Sequence, residues 1–102
     1  MRNLDENYSN GQAVSKQDGD ILTYYFEDGT VKAQGPYRGG IMQGEWMFNK
    51  KEGYLWQVGR FDDLGQKHGA WERYNPDRSL QKRQEFEHGV RFETLAKNVV
   101  VE

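Results

Sequence analysis

Two histidines and a few clustered carboxylates are the residues of this chain with the chemistry to act on a substrate or hold an ion. His68 and His88 each precede a glycine and lie 20 positions apart. A metal site would need a third ligand converging on both. The two occupy non-equivalent points of the chain's repeating pattern, so they read as solvated turn histidines. Asp62 and Asp63, with Glu85 and Glu87, could in principle work as acid and base. The first two fall in a polar, turn-like stretch and read as solvated acids. Gly35, Gly39, Gly40 and Gly44 superficially mimic a phosphate loop. Such a loop needs a following helix and a Lys-Ser/Thr pair, and with neither present these read as turn glycines. Lys50-Lys51 and Lys82-Arg83 read as solvated basic pairs. There are no cysteines, which excludes thiolate metal sites, disulfide frameworks and cysteine nucleophiles. No catalytic residue, metal or cofactor is expected.

The aromatic residues carry the stronger signal. They make up 14% of the chain, with 3 Trp, 6 Tyr and 5 Phe, in a sequence that is only 35% hydrophobic. Tyr37, Phe61 and Phe86, and separately Trp46 and Trp71, recur at intervals of 24 or 25 residues. Recurrence points to packing, so these rings, with Phe48 and Tyr74, are expected to build one face of a sheet. Tyr54 and Trp56 have no aromatic counterpart at the equivalent positions, Thr30 and Lys32 or Ser79 and Gln81. A large ring outside the repeat on a polar strand is a candidate contact for a partner. Tyr54 and Trp56 therefore lead a candidate partner-binding set completed by Trp46, Trp71 and Tyr74.

The elements that must position these rings follow from the same period. A chain of 102 residues with 12 glycines, poor in aliphatics and rich in rings, fits one domain of short strands joined by tight turns. Alternation at Val31, Ala33, Gly35 and Tyr37 is the two-residue period of a half-buried strand. Leu55 to Phe61 and Leu80 to Phe86 repeat it. Glu27-Asp28-Gly29-Thr30 is a hairpin turn, and Asn49 to Gly53 and Asn75 to Ser79 fill the same slot. Strands are predicted near 20–26, 31–38, 44–48, 54–61, 69–74 and 80–87, with a last one within 90–101. Residues 1–19 are expected to be loosely ordered, 20–93 to form the repeat sheet, and 94–102 to be a C-terminal cap or tail.

The motif G-x-W-x-x-Y/F, turn, G-x-L, five residues, Y/F-x-x-G, three residues, G, carried by Gly44, Trp46, Phe48, Gly53, Leu55, Phe61, Gly65, Gly69, Trp71, Tyr74, Leu80, Phe86 and Gly89, with one extra residue in Asp62-Asp63-Leu64, resembles the MORN repeat. It is most similar to the bacterial variant of YwqK-like, antitoxin-like proteins. Leu22 stands where the pattern has its first Trp, Arg78 where it has a turn glycine, and Glu93 where it has a closing glycine. The resemblance implies an all-β, antiparallel meander of hairpins in one elongated, curved sheet. It also implies binding rather than catalysis: a protein-interaction module, antitoxin- or immunity-like, with peripheral phospholipid binding as the alternative.

Charge bears on the partner. The net charge is −2, and no basic cluster stands out, which argues against nucleic acid and anionic membranes. A cysteine-free chain without an apolar leader fits a cytoplasmic setting. So thin a sheet leaves one face poorly covered, so either the aliphatic tail (Leu95, Val99 to Val101) folds back or two copies pair as a homodimer.

Overall fold

The computed structural model describes residues 6–91, and all structural statements below concern these. The strands are β1 (Ser15–Asp18), β2 (Ile21–Tyr25), β3 (Val31–Arg38), β4 (Ile41–Met42), β5 (Gly44–Asn49), β6 (Leu55–Phe61), β7 (Gly69–Tyr74), β8 (Leu80–Glu87) and β9 (Val90–Arg91). They form one open antiparallel sheet in the order β1-β2-β3-β5-β6-β7-β8-β9, with β4 paired to β3. The fold is all-β, as the alternation and turn glycines predict. Among the described residues no helix is long and apolar enough to cross a membrane. The molecule measures 57 × 35 × 20 Å, the proportions of a single layer.

The six predicted strands lie within a residue of their expected limits. The last one is β9, a two-residue strand whose Arg91 faces Phe86. Met42 faces Tyr37 and Lys67 bridges Phe61 in the same way, so β9 is the third copy of a short return after each aromatic. The expected cap at 94–102 lies outside the described residues.

The expected looseness of residues 1–19 is corrected for the part described. Ser15–Asp18 pairs along Ile21–Tyr25, and Val14 is 3% exposed. The Tyr8 hydroxyl donates to the Tyr25 carbonyl at 2.7 Å. A four-residue strand with one aliphatic neighbour leaves too faint a period to read, and it is the pairing with β2 that orders it.

Register decides which side chains share a face, because directly opposed residues of an antiparallel pair point the same way. Leu22 faces Gly35, Ala33 faces Phe48, Trp46 faces Gly59, and Trp71 faces Gln84. These positions define an indole face. On it a ring chain runs Tyr24, Trp46, Phe48, Trp71 with successive centroids 6.1 to 6.4 Å apart. Phe61 and Phe86 pack edge-on against Trp71. Leu22, Ala33 and Trp46 are the buried centre.

A single layer can bury an indole completely because glycine makes room for it. Gly35 is a strand residue, as its place in the 31–38 alternation predicts, and not a turn glycine like Gly39 and Gly40. It lies inside β3, where an added Cβ would fall 2.4 Å from Trp46 Cγ. At Gly59 the same atom would fall 2.0 Å from Trp71 Cδ2. Each indole N–H then donates to the carbonyl of the residue after its glycine, Trp46 to Pro36 at 2.8 Å and Trp71 to Arg60 at 3.0 Å. Ring burial and a satisfied N–H are thus achieved in one placement.

Each hairpin also bulges at the same place. The register slips between Tyr24 and Tyr25, Phe48 and Asn49, and Arg73 and Tyr74. The unpaired extra residues are Lys32, Trp56 and Gln81, spaced by the repeat. A bulge puts two residues opposite one and re-aims a side chain. Lys32 accordingly lines a hollow with Tyr24, Ala33, Met42 and Phe48 on the indole face.

Replacing Gly59 by Ala should cost about 3 kcal/mol, since the Cβ overlaps a ring held by its own hydrogen bond. Urea denaturation measures this; a midpoint equal to that of the wild type would contradict the seat.

Candidate functional site

The five ring residues singled out from the sequence do not form one patch. Trp46 and Trp71 are 0% and 4% exposed. They are the core of the sheet and present no ring surface to a partner, which corrects their place in the candidate set. Their recurrence was the signal of that role. Tyr54, Trp56 and Tyr74 stay half-buried and gather at one end of the sheet, where the β5–β6 and β7–β8 turns lie side by side.

Tyr54 and Tyr74 line a cleft of about 380 Å³ together with Gly53, Leu55, Pro76 and Arg78. Leu55 is 38% exposed, and Leu80, which faces Tyr74, is 52% exposed. The Tyr74 hydroxyl donates to Glu72 Oε1 at 2.7 Å. That bond, with burial, holds the phenol above its ordinary pKa, so Tyr74 enters any contact as a neutral, fixed ring. Glu72 belongs to the face opposite the indoles, because it faces Val58 and Arg83.

Arg78 was missed as a site residue. It holds φ 74°, while the equivalent turn positions, Gly29 and Gly53, hold 88° and 101°. The turn is built like the first one. Asp77 Oδ1 accepts from the Ser79 N–H and hydroxyl at 2.9 and 2.6 Å, and Asp28 does the same with Thr30 at the same distances. Both carboxyls are held below their ordinary pKa, mainly by those hydroxyl bonds. The left-handed backbone is therefore set by the turn, and Arg78 adopts it without the freedom glycine has. The departure from the repeat at Arg78 was visible in the sequence; its side chain's place in the cleft was not.

Trp56 lies on the other side of the same end. The bulge puts it beside Gln57, whose Oε1 accepts from Arg73 Nε at 2.8 Å. Arg73 Cζ lies 5.2 Å and Lys50 Nζ 4.3 Å from the Trp56 ring centroid, both within cation–π range.

The histidines are closer than their sequence separation suggested. Their ring centroids are 4.5 Å apart, and both remain turn residues, His68 half-buried and His88 exposed. The repeat register stacks the β6–β7 turn against the β8–β9 turn. The His88 N–H donates to His68 Nδ1 at 3.2 Å, and His88 Nδ1 lies 2.7 Å from Asp62 Oδ2. Asp62 Oδ1 meanwhile accepts the N–H groups of Leu64 and Gln66. The Asp62 side chain is 8% exposed and His88's is 63%, so the carboxylate is a turn anchor and the imidazole its outer partner. Among the described residues no group of three or more His, Asp or Glu is arranged to hold a metal ion.

Neither a protein-family model, nor a curated protein, nor a solved structure matches this chain.

The Asp62 carboxyl is held below its ordinary pKa, first by His88 and then by the two backbone N–H groups. A depressed folded pKa stabilises above the unfolded value, about 3.9, and that stabilisation disappears as pH falls through the folded value. Asp62→Asn keeps an acceptor but loses the charge. It should melt lower than the wild type at pH 5, with the gap closing by pH 2. Thermal melts at both pH values check this, and a pH-independent gap would contradict it.

Proposed function

We propose that this protein is a non-enzymatic protein-interaction module whose contact surface is the turn end of the sheet, centred on Tyr54, Tyr74 and Arg78 with Trp56 at its margin. The observation that carries the reading is Arg78. Two of three equivalent turns have glycine at this point. The third keeps a long cationic side chain in a left-handed backbone, at a cost of about 1 kcal/mol, and directs it into a cleft between two tyrosines. Strain retained where glycine would serve is a mark of use. Tyrosine and arginine are also the residue types that dominate contact energies at protein interfaces. An antitoxin- or immunity-like role is the finer form of this proposal and rests on the resemblance of the repeat; the partner would then be a toxin.

Arg78→Gly separates the two roles of the residue. It should raise stability by about 1 kcal/mol while weakening the partner's hold. Affinity capture from an extract of the encoding organism, with wild type and with Arg78→Gly or Tyr54→Ala/Tyr74→Ala, is the test. The expected result is one protein retained by the wild type and depleted on both variants. Equal retention by all three, or recovery of the chain on phosphatidylserine vesicles with no protein captured, would overturn the proposal.

A further inference from the structure

The net charge of −2 hides a separation of charge across the sheet. The carboxylates carried by strands are Asp18, Glu45, Glu72, Glu85 and Glu87. Their cross-strand partners are Ile21, Arg60, Arg83, Ala70 and Val90, which puts all five on the face opposite the indoles. The indole face carries no strand carboxylate. Its strand charges are cations: Lys32 at the first bulge, Arg73 opposite Gln57, Lys82 opposite Arg73, and Arg91 opposite Phe86.

Two features set Lys32, Arg73 and Lys82 apart as cations without a counter-charge among the described residues. Arg73 and Lys82 are direct cross-strand partners, a like-charge pairing that destabilises a sheet. On the other face Arg83 lies within 3.7 Å of Glu72 and 2.8 Å of Glu85. Among the described residues no carboxylate lies within ion-pair distance of Lys32, Lys50, Lys67, Arg73 or Lys82.

The cations are also held in place. Lys50 and Arg73 sit over Trp56, and Lys67 sits over Trp71 and Phe86, 4.8 and 5.1 Å from their centroids. A cation fixed over a ring loses less freedom when it meets an anion.

We infer that the indole face binds an acidic polypeptide segment, with glutamate or aspartate carboxylates meeting Arg73, Lys82 and Lys50 beside Trp56. This goes beyond the cleft proposal, shares with it only Trp56 at the margin, and survives its failure. The alternative anion, single-stranded nucleic acid, binds by stacking bases on open rings. Here the rings of that face are packed on one another or have cations over them, so the face offers N–H donors more than free ring surface. Its few cations also fall short of a continuous phosphate track.

The test is fluorescence anisotropy at low salt with three labelled probes: a 15-residue peptide alternating Glu with Leu or Tyr, the same peptide with Gln for every Glu, and a 15-nucleotide oligo-dT. The full chain should bind the acidic peptide at least about tenfold tighter than the Gln peptide or oligo-dT, with affinity falling as salt rises. Arg73→Gln/Lys82→Gln should weaken it about tenfold. Lys16→Gln/Arg60→Gln, which removes equal charge from the opposite face, should leave it unchanged. Near-UV circular dichroism confirms that each variant is folded. No binding, equal binding of the Gln peptide, tighter binding of oligo-dT, or equal losses in both double variants would overturn the inference.

Discussion

The structure depends on an indole lying flat on a glycine of the preceding strand. A one-layer sheet has no second layer to bury its rings, and this chain is short of aliphatic side chains. Trp46 on Gly35 and Trp71 on Gly59 solve the problem locally, since each large ring is buried by the backbone beneath it and by its ring neighbours. The N–H that would otherwise be stranded is aimed at the carbonyl one residue further on. The interaction links one hairpin to the one before it, so it repeats with the hairpin and sets the 24–25 residue period. At the ends it lapses. Leu22 occupies the first indole position, facing Gly35, and Gln84 stands in β8 where Gly35 and Gly59 stand in theirs. Such departures in terminal copies are expected of a repeat array.

Packing the rings on one side has consequences for the other. With apolar burial assigned to the indole face, the opposite face carries the strand carboxylates and isolated exposed aliphatics such as Ile21 and Met47, 40% and 44% exposed. The bulges complicate this division in a regular way. Each hairpin carries one extra residue; in the first two it is turned toward the indole face, and in the middle copy that residue is Trp56. A ring that strict alternation would have placed among the carboxylates is instead set among cations. The turn preceding each bulged residue brings Tyr54 near Tyr74, and so the features read as functional concentrate where the repeats are least alike.

How much of this the sequence discloses depends on whether a feature is periodic. The strands from Ile21 to Glu87 other than the two-residue β4, and the hairpin turns, are legible because Gly, Trp and Phe recur in step with a hairpin. β1 is not, because four residues with one aliphatic neighbour carry no period. Gly35 was legible as a strand position but not as the seat of a ring, since a glycine under a ring and a glycine in a turn look alike until the ring's partner is known. The meeting of His68, His88 and Asp62 was illegible for a related reason. Their 20- and 26-residue separations do not match the repeat, and contact arises only because two turns of different length stack. Trp56 was correctly separated from the core rings by its failure to recur, but its cationic surroundings required the register.

The central claim is that two of the three indoles are structural and seated on glycine. It is tested most directly by proton NMR of the intact chain. The account predicts Hα resonances of Gly35 and Gly59 shifted far upfield by the ring above them. It also predicts slow solvent exchange of the Trp46 and Trp71 indole N–H protons, against rapid exchange at Trp56, which has no hydrogen-bond acceptor among the described residues. Glycine Hα protons at ordinary shifts, with all three indoles exchanging alike, would contradict it.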